Sequence, residues 1–140
     1  MIQRILFVDD DIHISEQYVE TLLEAGYEVD LCHDVDGAVE RIQTAAKSQY
    51  RCCVVDLMIA GGARFSDERR RTNIAVGVLF KRFARGILSR ETKIIYLSNF
   101  MRILEDARDN SDPNEYGFAK IDYGPRRFAD EIGILLGAAE

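Results

Sequence analysis

The sequence predicts an α/β fold in which a parallel sheet carries helices on both faces. Short apolar runs alternate with amphipathic stretches along the whole chain. The runs are apolar throughout rather than at every second residue, which suits parallel strands buried on both sides. Chosen polar residues recur where the runs end. Alternating strand and helix patterns imply crossover connections and a layered α/β arrangement. With 140 residues, 47% of them apolar, the chain has the size of one domain, residues 1–140, and can bury a real core.

Arg4–Val8 is the first strand and ends at Asp9-Asp10-Asp11. Ile12–Ala25 follows with apolar residues at Ile14, Tyr18, Val19, Leu22 and Leu23, a helical spacing, and Gly26 stops it. Tyr27–Cys32 reads as a strand and Val35–Ala46 as a helix with Asp34 or Asp36 near its cap. Cys52–Val55 is the third strand and ends at Asp56. Leu57–Asn73 is read as an extended loop, long for a strand-to-helix connection, with Gly61-Gly62 and the run Asp67-Glu68-Arg69-Arg70-Arg71. Ile74–Leu88 is a helix with Ile74, Val78, Leu79, Phe83 and Ile87 on its apolar side. Lys93–Leu97 is the fourth strand, ending at Ser98, and Phe100–Arg108 a short helix. After the turn residues 110–114, Glu115–Ala119 is the fifth strand, ending at Lys120. Pro125 suits the first turn of a last helix, Arg126–Leu136. No internal repeat or low-complexity segment interrupts this order.

Charge is mixed, with a formal net of -6, so the composition does not announce a nucleic-acid or membrane-surface binder. No apolar run is long enough to span a membrane, and the N-terminus lacks the long apolar stretch of a signal peptide. The expected location is the cytoplasm. Of the three cysteines, Cys52 and Cys53 are adjacent on one strand and point to opposite faces. No spacing suits zinc, and buried reduced thiols are expected. His13 and His33 receive no catalytic role, since no cysteine or carboxylate spacing accompanies them.

The polar residues at strand ends form one constellation. Asp9 and Asp10 follow strand one, Asp56 strand three, Ser98 strand four and Lys120 strand five. Ligands of open parallel sheets bind outside the carboxyl ends of the strands, where strand order reverses. Converging carboxylates repel one another, and a hard cation such as Mg2+, which takes oxygen ligands, removes that repulsion. An aspartate can act as a nucleophile toward a phosphoryl group. A lysine can pair with a phosphoryl oxygen and a hydroxyl can donate to another.

Ile5-Leu6-Phe7-Val8-Asp9-Asp10-Asp11, Val54-Val55-Asp56-Leu57-Met58, Tyr96-Leu97-Ser98 and Phe118-Ala119-Lys120 resemble the signatures of bacterial response-regulator receiver domains, in order and spacing, over nearly the whole chain. The resemblance implies a flavodoxin-like doubly wound sheet of five strands in the order 2-1-3-4-5. It makes Asp56 the phosphoacceptor in a two-component phosphorelay. It assigns Mg2+ to Asp10 and Asp56, to Asp9 directly or through water, and to the backbone carbonyl of Met58. Ser98 would contact the phosphoryl group and Lys120 would pair with it. The implied donor is a phosphohistidine on a sensor histidine kinase or a histidine phosphotransfer protein. The implied output is binding to a downstream protein target, with no direct contact to nucleic acid or membrane, and a homodimer stays open.

Several positions depart from that pattern. Ala60 stands where the family has proline, Asn99 where it has a small residue, and Ile121 where it has a second proline. Gly77 represents the conventional glycine after the long loop. Gly117 occupies the place of the strand-five aromatic, with Tyr116 and Phe118 on either side, and a flanking aromatic would need a bulge to replace it. These departures leave the five chemical residues intact and favour, as the alternative, a receiver-like binding module that works without phosphorylation. A phosphohydrolase of the haloacid-dehalogenase type would carry a second aspartate at the position of Met58.

Overall fold

The computed structural model describes residues 2–46, 49–100, 102 and 111–137. Five strands, β1 (Arg4–Val8), β2 (Glu28–Cys32), β3 (Cys52–Val55), β4 (Lys93–Ser98) and β5 (Glu115–Ala119), form one parallel sheet in the order β2-β1-β3-β4-β5. The helices are α1 (Ile12–Glu24), α2 (Val35–Thr44), α3 (Gly62–Thr72), α4 (Val76–Arg85) and α5 (Pro125–Leu136). The short helix expected over Phe100–Arg108 lies almost wholly outside the described residues. Among the described residues, no helix is long and apolar enough to cross a membrane.

The apolar runs behave as two-sided strands. Leu6, Val8, Cys53, Val55, Ile94 and Tyr96 face the core under α2, α3 and α4. Ile5, Phe7, Cys52, Val54, Ile95 and Leu97 face the core under α1 and α5. Tyr18 of α1 meets Phe128 of α5 edge-on, with ring centroids 5.6 Å apart, and donates its hydroxyl to the carbonyl of Tyr123 (2.6 Å). The edge strand β2 is marked by charge. Glu28 pairs with Arg4 at 2.8 Å, and Asp30 lies 3.6 Å from Arg4 and 3.5 Å from Arg41. Such charges discourage a further strand from adding to the edge.

Local signals set most helix ends. Asp11 and Asp34 cap α1 and α2, accepting from the amides of Ile14 (3.1 Å) and Gly37 (2.6 Å). Pro125 occupies the first turn of α5. One expectation is overturned. Residues 57–73 are not a continuous loop, because a short strap, residues 57–61, leads directly into α3. Phe65 is buried and meets Phe83 of α4 edge-on at 6.3 Å, the Arg64 guanidinium lies 4.3 Å from the Phe83 centroid, and Asn73 closes the helix at φ 58°. The next helix therefore starts at Val76 rather than Ile74, since Asn73 is left-handed and Ala75 extended.

Candidate functional site

The site stands at the carboxyl edge of the central strands, and the sheet's own ladder places its members. The amide of Asp9 donates to the carbonyl of Cys32 (3.1 Å), that of Asp56 to Val8 (3.2 Å) and that of Lys120 to Ser98 (3.0 Å). Each residue thus takes the last rung of a strand pair, and its backbone is fixed to the neighbouring strand.

Four of the expected residues come together. Lys120 Nζ lies 2.9 Å from Asp9 Oδ2 and 3.2 Å from Asp56 Oδ2. Asp9, Asp10 and Asp56 each offer a carboxylate oxygen, all within 4.8 Å of one another. Their environments differ: Asp9 is buried, Asp10 is exposed and Asp56 lies between. Asp9 Oδ1 accepts from the amide of Asp11 (2.9 Å), Asp56 Oδ1 from that of Met58 (3.2 Å) and Asp10 Oδ2 from that of Ala60 (3.2 Å). The third aspartate of the run, Asp11, is the α1 cap and stands apart from the cluster. His33 is exposed, and its Nδ1 lies 3.3 Å from the carbonyl of Asp9, a local contact to backbone.

Electrostatics point the same way. Burial raises the Asp9 carboxyl above its ordinary range, and neither the Asp11 amide nor the Lys120 ammonium fully offsets this. For Lys120 itself burial works against the charge, but hydrogen bonding and charge attraction from Asp9 and Asp56 outweigh it and raise its pKa. Among the described residues, three carboxyl groups are thus gathered around one ammonium group. A hard divalent cation with a preference for oxygen fits that donor set, held by the three carboxylates.

Ser98 is buried at the end of β4, but its hydroxyl accepts from the amide of Phe100 (3.3 Å). Among the described residues it makes no hydrogen bond to the carboxylates. Strand alternation explains this. Ser98 is in phase with Ile94 and Tyr96, whereas Asp9, Asp56 and Lys120 continue the opposite face, that of Phe7, Val54 and Phe118.

Gly77 packs on the backbone of Asp56 and Leu57, and its amide donates to the carbonyl of Leu57 (3.0 Å). A Cβ there would stand 2.6 Å from Leu57 Cα and 2.7 Å from the carbonyl oxygen of Asp56. The register of β4 with β5 runs unbroken and sets Gly117 opposite Tyr96, so neither flanking aromatic takes the place of Gly117. Tyr116 and Phe118 pack on the other face. Tyr96 is fully buried beside Glu115, and burial together with that carboxylate raises its hydroxyl pKa. One contributor carries no motif: the amide of Ala60, a backbone group invisible in sequence.

No protein-family model and no curated protein matches the chain. Its fold is shared with solved response-regulator receiver domains. A CheY-like receiver domain protein from Methanospirillum hungatei superposes with a TM-score of 0.71 at 17% identity, over 99% of this chain and 96% of that one. The receiver domain of the hybrid histidine kinase CckA gives 0.70 at 20%, over 95% and 98%. The response regulator TrrA from Thermotoga maritima, solved in complex with Mg2+ and BeF, gives 0.69 at 21%, over 96% and 99%. The chain thus has the CheY-like receiver fold, a five-stranded parallel sheet in the order 2-1-3-4-5.

Proposed function

We propose that the chain, as one domain over residues 1–140, is a phosphoacceptor receiver of two-component signalling, phosphorylated on Asp56 with Mg2+. The observation that carries this reading is the bridge of Lys120 between Asp9 (2.9 Å) and Asp56 (3.2 Å), with Asp10 beside them. Asp9, Asp10 and Asp56 would hold the cation with the carbonyl of Met58, and TrrA, of like fold, was solved with Mg2+ and BeF. Bound there, Mg2+ would neutralise charge on the phosphoryl oxygens.

The chain's own residues perform the rest. An Asp56 carboxylate oxygen attacks phosphorus while the donor's bond to phosphorus breaks and the donor leaves with the electron pair. The amide of Met58, on Asp56 Oδ1, orients the carboxylate. Lys120 gives the incoming phosphoryl group a cationic partner in place of an Asp56 oxygen. Ser98 reaches that group only by leaving the amide of Phe100. The modification adds about one and a half to two negative charges at neutral pH. The donor is a sensor histidine kinase or a histidine phosphotransfer protein, and the output is binding to a protein target. The domain is a signalling acceptor, not a turnover enzyme, and works in the cytoplasm.

Intact mass after incubation with Mg2+ and acetyl phosphate tests this. One added phosphoryl group is expected, labile to hydroxylamine and lost in Asp56→Asn. No adduct, even after rapid quench and with a cognate kinase, would turn the reading to a binding module independent of phosphorylation. The pairing of Gly117 with a fully buried Tyr96 favours that second reading.

A further inference from the structure

Asp36 lies in the first turn of α2, and its carboxylate reaches out to another helix. It accepts from the amides of Ala63 (2.8 Å) and Arg64 (3.2 Å), in the first turn of α3. The residue preceding α3, Gly61, offers no capping side chain. Asp36 therefore supplies the cap from α2, at the positive ends of two helix dipoles at once. Gly62 makes the approach possible. It has φ +61°, and a Cβ at that position would collide with the Asp36 carboxylate.

Between the acceptor and this pinned helix runs the strap of residues 57–61. Leu57 and Ile59 are buried in the core, while the amide of Ala60 donates to Asp10 Oδ2 (3.2 Å). A proline at position 60 could not make that bond. The strap thus has fixed ends, Asp56 in the sheet and α3 on Asp36, with one of the cation-binding carboxylates attached at its middle.

We propose that Asp36 is a positioning residue for the acidic site. By capping α3 it holds the strap in place, keeps the amide of Ala60 on Asp10, and so sets the orientation in which Asp10 meets the cation. Asp36 touches none of the reacting atoms, and its role rests on the reading of the three aspartates as an Mg2+ site.

The test uses the full chain with Asp36→Ala, Asp36→Asn and Gly62→Ala. Thr44→Ala, at the far end of α2 where the hydroxyl donates to the carbonyls of Glu40 (3.1 Å) and Arg41 (3.2 Å), is the control. Amide hydrogen exchange at Ala60, Ala63 and Arg64 is measured without metal, and the Mg2+ dissociation constant by calorimetry. Asp36→Ala is expected to speed exchange at all three amides by about fivefold or more. It should raise the Mg2+ constant by at least about threefold. Asp36→Asn, which keeps an acceptor oxygen, falls between, Gly62→Ala reproduces Asp36→Ala, and Thr44→Ala matches wild type in both readouts. Faster exchange at Ala63 and Arg64 alone, with Ala60 and the Mg2+ constant unchanged, reduces Asp36 to a structural cap and overturns the proposal. A wild-type chain that binds no Mg2+ removes the metal site and this proposal with it, and exchange at Ala60 tells the two failures apart.

Discussion

The side chain of Lys120 is 9% exposed and lies between two carboxylates, so its removal leaves like charges facing each other in a partly dry site. Lys120→Met is expected to slow adduct formation on Asp56 about a hundredfold, read by rapid-quench mass measurement. It also lowers metal-free stability by about 3 kcal/mol in urea unfolding, and Mg2+ restores part of that loss. Gly77→Ala pushes a methyl group into the backbone of Asp56 and Leu57. A loss of about 2 kcal/mol in unfolding free energy is expected, together with slower adduct formation in the acetyl phosphate assay, since Asp56 must move to make room. Burial raises the thiols of Cys32, Cys52 and Cys53, and the reactive species is the thiolate. All three should resist a thiol reagent at pH 8 in the native protein and react in urea, as a spectrophotometric thiol count would show. At this scale the sequence was a good guide to which strand-end side chains lie together, as with Asp9, Asp10, Asp56 and Lys120. It was silent on the amide of Ala60, because a backbone donor looks the same at every non-proline residue. It was ambiguous on Ser98, whose cap role and site role leave one and the same residue type in the chain.

The strands were legible because their apolar runs record burial on two faces, and the bounds of β1, β3 and β5 fall where the runs begin and end. The helix α3 was not. It has one buried anchor, Phe65, among charged residues, and its N-terminal cap comes from α2 rather than from its own flank. Two local signals were present all the same. Arg69, Arg70 and Arg71 fill the last turn, where cations suit the helix dipole, and Asn73 follows as a residue tolerant of the left-handed conformation. Between α4 and β5 lies a buried ionic network of the kind that periodicity cannot reveal. Lys81 meets Glu115 at 3.2 Å and Asp112 at 3.6 Å, and Arg85 meets Asp112 at 3.0 Å. Glu115→Ala is expected to cost about 3 kcal/mol in denaturant unfolding, because it strips a buried cation of a buried partner. Replacing Lys81 and Glu115 together by apolar residues should cost less than the single change, and a double-mutant cycle measures the coupling.

At the scale of the molecule, identities of only 17–21% accompany TM-scores near 0.7 across almost the full chain. A fold of this kind is specified by which positions are buried and where strands stop, and many sequences satisfy that pattern. Strand order was therefore predictable, while the helix inside one long connection was not. The path from β3 to β4, residues 56–92, is roughly twice as long as that from β1 to β2, residues 9–27. Closing a flexible segment of doubled length costs only about 0.6 kcal/mol of chain entropy. The docking of Phe65 and the cap from Asp36 exceed such a cost with ease. The added helix is thus thermodynamically cheap, and the connection beside Asp56 is a place where this architecture accepts new length without disturbing the hydrogen-bond ladder on either side.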